Sequence, residues 1–299
     1  MIAVLGSVNM DLVMRVPRFP SPGETLAGSS VSYFPGGKGA NQAVAAAKLG
    51  ADVQFFGCVG DDAFGDQLLV ALEDVGVCTK AVERVSKCAS GLASIWVNEA
   101  GENAIALAPG ANGCVDGAYL ERHIESIALA DILLLQLEIP ISTVVALLRQ
   151  LPADAPIVIL DPAPAQDLSG LPLERVDLLT PNEHELRSIT GHQEIGVGAF
   201  SLLDRGVKHV IATLGSHGAT SFSADGSISH HAAPDVEVVD TTAAGDAFSG
   251  ALAWALLTHP LDDAVSQAVI AGALATTKPG AQPSLPTLQE LREAEIRDA

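Results

Sequence analysis

The most informative stretch of the sequence is Asp240-Thr241-Thr242-Ala243-Ala244-Gly245-Asp246-Ala247-Phe248-Ser249-Gly250-Ala251, in which small residues lead into an apolar, helix-like segment. A helix that begins without bulky side chains leaves its first N–H groups open to an anion. Ala243, Ala244 and Gly245 are therefore predicted to hold charge that develops on a transferred phosphoryl group. Asp246, in the first turn, is placed to accept a proton from an attacking hydroxyl. An ordinary acidic residue in a first helical turn is an equally good interpretation of Asp246 alone.

Around this stretch, short apolar runs alternate with Ala-rich or Leu-rich segments of helical spacing. The runs, predicted as strands, cover residues 2–5, 53–59, 132–137, 157–160, 178–179 and 209–213. The predicted helices include residues 40–49, 65–75, 142–150 and 199–205. Alternation of this kind predicts an α/β fold with a central, mostly parallel sheet flanked by helices. Ligands of such sheets bind at the carboxyl ends of the strands.

Two segments break the alternation. Residues 13–33 are rich in Pro and Gly, and residues 91–107 have the pattern of a β-hairpin. Antiparallel strands inserted in this way predict a small separate sheet that forms a lid over the active edge. The predicted division is therefore a core of residues 1–12, 34–90 and 108–299 and a β lid of residues 13–33 and 91–107.

Composition excludes several classes of function. The chain of 299 residues has 16 Lys and Arg against 36 Asp and Glu, for a formal net charge of -20, which argues against a surface for nucleic acid or anionic lipid. No long apolar stretch or targeting signal is found, so we expect a cytoplasmic protein outside the membrane. The four cysteines lie far apart and are expected to be reduced and mostly buried; neither they nor the histidines show zinc-ligand spacing.

Two further polar stretches are candidates for a small-molecule site. One is the Gly-rich turn around Gly37, Lys38 and Asn41, which is not a phosphate-binding Walker A loop because the required spacing fails. The other is the exit of the first strand, where Asn9 and Asp11 point to the same side and suit a pair of vicinal hydroxyls. A structural helix cap and an ordinary turn are the alternatives.

The second half of the chain has three weaker signals. Asn182 and Glu185 are spaced to suit hydrated Mg²⁺ and a phosphate, although the pair taken alone is better explained as a helix N-terminus with acidic residues. The Gly-rich turn at residues 213–219 would let a nucleotide approach the backbone. The loop at residues 277–284 reads as a helix stop whose carbonyls can ligate a monovalent cation.

Taken together and in this order, these stretches resemble the ribokinase family of carbohydrate kinases over nearly the whole chain. The resemblance is carried by Gly6-Ser7-Val8-Asn9-Met10-Asp11, Gly36-Gly37-Lys38-Gly39-Ala40-Asn41-Gln42-Ala43, Gly110-Ala111-Asn112, Asp161-Pro162-Ala163-Pro164-Ala165, Thr180-Pro181-Asn182-Glu183, Asp240-Thr241-Thr242-Ala243-Ala244-Gly245-Asp246 and Gly280-Ala281-Gln282-Pro283-Ser284.

The resemblance implies transfer of a phosphoryl group from MgATP to D-ribose, with Asp246 as the base on the 5-hydroxyl. The implied sugar site is Asn9, Asp11, Gly37, Lys38, Asn41, Glu138 and Asp246. The implied ATP contacts are Asn182, Thr213, Gly215 and Gly218, and Glu185 is implied to act on Mg²⁺ through water. An activating K⁺ is implied at Asp240, Thr242, Ala275, Lys278, Gly280 and Ser284, where Lys278 would use its carbonyl oxygen. The family also implies a homodimer formed through the lids.

One residue departs from the family's pattern. Many members have Gly where this chain has Ala243, and Ala fits the anion hole if the backbone φ there is negative. Deoxyribose, fructose and a nucleoside such as adenosine stay open as substrates. A sugar-binding sensor without catalysis is the alternative outside the kinase class, although the intact Asp246 and the Asn182–Glu185 pair argue against it.

Overall fold

The computed structural model of the protein describes residues 1–152 and 155–298 and contains two separate β-sheets. The strands are β1 (Ile2–Leu5), β2 (Asn9–Arg15), β3 (Ser30–Gly36), β4 (Val53–Gly60), β5 (Cys78–Val85), β6 (Gly91–Val97), β7 (Asn103–Ala108), β8 (Ile132–Leu135), β9 (Ile157–Leu160), β10 (Leu178–Leu179), β11 (His209–Thr213), β12 (Ala219–Ser223) and β13 (Ile228–His231). The helices are α1 (Lys38–Lys48), α2 (Ala63–Glu73), α3 (Gly117–Ala128), α4 (Ile141–Gln150), α5 (Glu183–Thr190), α6 (Ile195–Leu203), α7 (Ala244–Leu256), α8 (Leu261–Ala275) and α9 (Leu288–Asp298).

The large sheet has the strand order β13-β12-β11-β10-β9-β8-β1-β4-β5. Its strands pair in parallel except at β11–β12 and β12–β13, so the predicted mostly parallel α/β sheet is confirmed. The central strands β1 and β8 are apolar at every position and fully buried, as expected of strands covered on both faces.

Helices cover both faces of this sheet. Side chains of one strand alternate between the faces, so Ile2 and Val4 pack into one hydrophobic cluster while Ala3 and Leu5 pack into the other. The first cluster contains residues of α1, α2, α7, α8 and α9, and the second contains residues of α3 to α6. None of the helices among the described residues has the length and apolar character needed to cross a membrane.

The small sheet has the order β3-β2-β6-β7. The predicted hairpin at residues 91–107 is confirmed as β6 and β7, and β2 pairs with β3 in antiparallel register. The pairing of β2 with β6 is parallel, so the sheet is not antiparallel throughout as its hairpin patterns suggested. Its first strand begins at Asn9 and β3 ends at Gly36, wider than the predicted segment of residues 13–33. The assignment of a core and a lid domain stays a prediction.

The four cysteines are free thiols, but the expectation that most are buried is wrong. Cys58 on β4 is buried, whereas Cys78, Cys88 and Cys114 are partly exposed. Cys78 begins the edge strand β5, where the large sheet meets solvent on one side.

Candidate active site

The predicted catalytic and sugar residues Asp246 and Lys38 line one cavity of about 190 Å³ at the carboxyl ends of the central strands. Lys38 is the first residue of α1, and Asp246 lies in the first turn of α7. The other residues that line the cavity are Asp161, Thr180, Asn182, Glu185, Thr213, Thr241, Ala243, Ala244, Gly245 and Phe248. The fold thus brings the glycine-flanked lysine and the α7 carboxylate to a shared pocket.

The carboxylate of Asp246 is buried and held by two amides of α1. The Nδ2 atom of Asn41 donates to its Oδ2 at 2.9 Å, and the Nε2 atom of Gln42 is 3.3 Å from its Oδ1. Burial raises the pKa of Asp246, and Lys38, Asn41 and Gln42 oppose that rise by favouring the charged form. A carboxylate with a raised pKa and fixed oxygens is suited to accept a proton from a hydroxyl.

The start of α7 exposes backbone N–H groups, but its geometry differs from the expected one. The N-cap residue Ala243 has φ 61°, in the left-handed region, so Ala occupies this position without the negative φ that would suit it. The N–H group of Ala244 donates to the carbonyl of Thr241 at 3.3 Å. The N–H of Gly245 has no acceptor within residues 1–152 and 155–298, and Gly245 lines the same cavity as Asp246. A free N–H beside a carboxylate base is the arrangement expected of an anion hole.

Lys38 faces a second buried carboxylate that our assignment of site residues does not include. The Nζ atom of Lys38 is 4.0 Å from Oδ2 of Asp161, which also accepts from Nε2 of Gln42 at 2.8 Å. Burial raises the pKa of Asp161 while Lys38 lowers it. Burial lowers the pKa of Lys38, but the carboxylates of Asp161, Asp246 and Glu138 outweigh it and raise that pKa, so Lys38 stays a cation.

The remaining predicted sugar residues gather where the chain crosses from β1 to β2. Oε2 of Glu138 accepts from the Ser7 hydroxyl at 2.5 Å and from the backbone N–H of Lys38 at 3.2 Å, and it lies 3.5 Å from Nδ2 of Asn9. Burial, reinforced by the charges of Glu138 and Asp246, raises the pKa of Asp11 to about 7. The carboxylates of Glu138 and Asp246 are therefore close enough to Asp11 to repel its charged form.

Close backbone contact explains the glycine that precedes Lys38. Gly37 has φ 90°, and a Cβ atom there would lie 2.8 Å from the backbone nitrogen of Asn9 and 2.9 Å from Cα of Val8. A larger residue would separate α1 from the strand that carries Asn9. Gly37 thereby keeps Lys38 and Asn9 in one site.

The four predicted ATP contacts line a second cavity of about 470 Å³. They are Asn182, Thr213, Gly215 and Gly218. This cavity also contains apolar side chains of α7 and α8, among them Phe248 and Val269, and it shares Ala244 and Gly245 with the first cavity. An apolar pocket with a few polar groups at its mouth fits a nucleoside whose phosphates reach the start of α7.

Asn182 and Glu185 form the N-terminal capping box of α5. The N–H of Glu185 donates to Oδ1 of Asn182 at 2.8 Å, and the N–H of Asn182 donates to Oε2 of Glu185 at 2.8 Å. The pair therefore caps the N-terminus of α5, as the structural interpretation of these two residues predicted. Both residues also line the first cavity, so capping fixes two side chains that face the place where phosphates would lie.

The predicted cation residues lie on two loops joined by Asp240. Its Oδ1 accepts from the backbone N–H and hydroxyl of Thr242 at 2.9 and 2.6 Å, and its Oδ2 accepts from the N–H of Gly280 at 2.9 Å. Ala275 ends α8, and the hydroxyl of Ser284 donates to the carbonyl of Ala281 at 2.8 Å. The ammonium group of Lys278 pairs with Glu290, which leaves its carbonyl oxygen as the group that a cation can use.

Sequence reasoning missed Asp161, Gln42 and Ser7 as site residues. Gln42 follows Asn41 and joins Asp161 to Asp246, and Ser7 holds Glu138. All three belong to the stretches that carry the family resemblance, which is the signal that could have selected them. Their contacts join residues about a hundred positions or more apart, which spacing alone does not reveal.

The fold and this site define a sugar kinase, and residues 1–288 match the family described as pfkB family carbohydrate kinase. The chain therefore belongs to the pfkB family of carbohydrate kinases. Among curated proteins it is similar to the ribokinase of Haemophilus influenzae, with 41% identity covering 98% of this chain and 97% of that protein. It is also similar to the deoxyribokinase of Salmonella typhi, with 36% identity over 98% and 97% of the two chains. The structure of Arabidopsis thaliana ribokinase complexed with ribose and ATP matches with a TM-score of 0.92 and 32% identity, covering 98% of this chain and 97% of that one.

Proposed function

We propose that this protein transfers the γ-phosphoryl group of ATP to the 5-hydroxyl of D-ribose, giving ribose 5-phosphate and ADP. The observation that carries the proposal is the position of Asp246 and the free N–H of Gly245, at the junction of a polar cavity and an apolar one. A sugar in the first cavity and a nucleotide in the second would meet at this point. Full-length similarity to ribokinases supports ribose as the sugar.

In this mechanism Asp246 accepts the proton of the attacking hydroxyl, and Asn41 keeps its carboxylate oriented. The N–H groups of Ala243, Ala244 and Gly245 stabilise charge on the transferred group. The sugar is held by Asn9, Asp11, Gly37, Lys38, Asn41 and Glu138. The buried Oδ1 atom of Asn41 has no hydrogen-bond partner among the described residues, so a sugar hydroxyl would satisfy it. Positioning and electrostatics supply most of the rate because phosphoryl transfer needs little covalent chemistry from the protein.

The proposed ATP site consists of Asn182, Thr213, Gly215 and Gly218. A kinase that uses ATP needs a divalent cation such as Mg²⁺, and Glu185 faces the polar cavity with one carboxylate oxygen in the capping box. Mg²⁺ usually binds one or two carboxylates together with water and substrate phosphates, and Glu185 fits that role through water. The cation would neutralise charge on the phosphates.

A K⁺ site is proposed on the loops joined by Asp240. The proposed oxygens come from Asp240, Thr242, Ala275, Lys278, Gly280 and Ser284. Two observations support this site. Asp240 joins the loop before α7 to the loop that contains Gly280 through hydrogen bonds, and all the proposed ligand atoms are oxygens. Bound K⁺ would stabilise the loop that contains Ala243 and so the anion hole.

The decisive experiment is a steady-state assay of ADP formation with ribose, deoxyribose, fructose and adenosine, each with and without K⁺. We expect the highest kcat/KM for ribose. Preference for deoxyribose would instead agree with the similarity to a deoxyribokinase. Sugar binding without ADP formation would overturn the proposal in favour of a non-catalytic sensor.

A homodimer formed through the small sheet is also proposed. Every residue of β7 is exposed, and Ile105 is 60% exposed. Ile105 pairs with Ile95, which pairs with Val13, so apolar side chains form a row across one face of the sheet. An apolar row in water is stabilised when a partner covers it. The cytoplasm is the proposed location, since four free thiols are typical of a reducing compartment.

A further inference from the structure

Three passages of chain between the two sheets meet at the buried side chain of Asn112. The first passage crosses from β1 to β2 at residues 6–8, the second enters β6 at Gly91, and the third leaves β7 through a 3₁₀ helix at Gly110–Cys114 that contains Asn112. Asn112 is 1% exposed. Its place between the passages makes it a contact point for all three.

Hydrogen bonds to the backbone fix the orientation of the Asn112 amide. Its Oδ1 accepts from the N–H of Val8 at 3.0 Å, and its Nδ2 donates to the carbonyl of Val8 at 3.2 Å. A backbone N–H can only donate and a backbone carbonyl can only accept. Rotation of the amide by half a turn would therefore place like groups against each other at both positions.

The orientation of Asn112 determines that of Asn9. Nδ2 of Asn112 also donates to Oδ1 of Asn9 at 2.7 Å, so the Nδ2 group of Asn9 is turned the other way, toward Oε2 of Glu138 at 3.5 Å. A Cβ atom at Gly91 would collide with both Oδ1 of Asn9 and Nδ2 of Asn112, so the backbone of β6 closes over this pair. Asn9 is 2% exposed and cannot turn over without breaking these contacts.

We propose that Asn112 is a positioning and specificity-determining residue of the sugar site, which makes Asn9 present an N–H donor, and not a carbonyl oxygen, to a sugar hydroxyl. The proposal rests on the function proposed above. It adds a residue that does not touch the sugar but decides which hydrogen-bonding group the sugar meets. A purely structural role, as a clamp between the passages of chain, is the outcome that the test must exclude.

The test replaces Asn112 by a side chain of the same shape that cannot donate. In Asn112→Asp, a carboxylate faces Oδ1 of Asn9, so the Asn9 amide is expected to rotate and turn its oxygen toward Glu138. We expect the KM for ribose to rise by about tenfold or more, the change that follows from one mispaired buried polar group. The KM for ATP should change by less than about twofold. Asn98→Asp, in the exposed turn between β6 and β7, is the matched control and should leave both constants unchanged.

A double-mutant cycle separates positioning from a clamp. In an Asn9→Ala background the replacement Asn112→Asp should cause no further rise in the KM for ribose, because it acts through the Asn9 amide. Asn112→Ala, which also removes the donor to Asn9, gives the same comparison if the Asp variant does not fold. The proposal is overturned if the two effects multiply in full, if the ribose constant does not change, or if the ribose and ATP constants rise together. Wild-type turnover of ribose is measured in the same series, so failure of the proposed function is seen separately.

Discussion

The Nδ2 atom of Asn41 lies 2.9 Å from Oδ2 of Asp246, although the two residues are 205 positions apart in the chain. The contact joins the start of α1 to the first turn of α7, and small residues in both helices, among them Gly39 and Ala40 in α1, let the two helices approach. A Cβ atom on Gly250 would lie 2.6 Å from the carbonyl oxygen of Gln42, so the close packing extends along both helices. The proposed base is therefore held by the helix that also carries Lys38, a residue of the proposed sugar site.

Replacement of the proposed base, Asp246, should remove turnover and keep substrate binding. In Asp246→Ala we expect kcat to fall by about 10²–10⁴-fold, the usual contribution of a general base. Ribose and ATP should still bind, because their other contacts are intact, and isothermal titration calorimetry checks this. A variant with near-normal kcat would show that Asp246 is not the base.

The left-handed conformation of Ala243 gives a prediction about stability. An L residue in this region costs about 1–2 kcal/mol, and Gly does not. Since Gly also adds entropy to the unfolded chain, Ala243→Gly should raise the free energy of unfolding by up to about 1 kcal/mol. The control Ala244→Gly, at the first position of α7 and with no left-handed strain to relieve, should lower it by up to about 1 kcal/mol. Urea unfolding of both variants makes the comparison, and destabilisation of both by the same amount would contradict a strained Ala243.

The raised pKa of Asp11 predicts how stability depends on pH. The pKa of Asp11 is about 7 in the folded protein against 3.8 in the unfolded chain, so the folded state binds more protons between these values. Its favourable contribution is present at low pH and is lost as the pH rises through about 7. In ligand-free protein, Asp11→Asn should remove a fall of at most about 1.4 kcal/mol per pH unit across this window. Chemical denaturation of both proteins along a pH series measures the difference. Parallel curves would mean that the pKa of Asp11 is not raised.

The proposed K⁺ site predicts selective activation. At constant ionic strength, K⁺ should raise kcat/KM above its value in Na⁺, and Asp240→Asn should reduce the response by about tenfold, because a charged oxygen ligand is lost. Asp225→Asn is the matched control, since Asp225 also accepts from the N–H of the residue two positions on, at 2.9 Å, but lies in the β12–β13 turn. Equal K⁺ responses in the wild type and the Asp240 variant would place the site elsewhere.

The proposed dimer predicts the effect of a charge on the lid. Ile105→Asp puts a carboxylate in the exposed apolar row, so sedimentation velocity should show monomers where the wild type shows dimers. Val197→Asp, at a 47% exposed position of α6, is the control and should not change the oligomeric state. A wild-type monomer, or a dimer that survives the Ile105 replacement, would contradict the lid interface.

The central strands were predictable because burial on both faces requires uninterrupted apolar runs, and β1 and β9 match their predicted bounds. The edge strand β5 was missed because its sequence, Cys78–Val85, contains Lys80, Glu83 and Arg84 on a half-exposed surface. Its alternation is weak, and pairing with β4 determines its structure.

The site was predictable where polar residues follow a strand or begin a helix. The positive φ of Ala243 was not, because the surrounding loop imposes it on a residue that rarely adopts it. The ion pair of Lys38 with Asp161 was not predicted either, since it depends on the tertiary packing of α1 against the end of β9.

The backbone-to-backbone contact between the start of α1 and the β1–β2 crossing also has a consequence for evolution. A Cβ atom on Gly39 would lie 2.7 Å from the backbone nitrogen of Ser7, and one on Gly37 would come almost as close to Asn9. Mutational drift is blocked at these two positions, whatever sugar is selected for. New substrate preferences in descendants of this chain are thus expected to arise at other positions of the site, where side chains and not backbone atoms make the contacts.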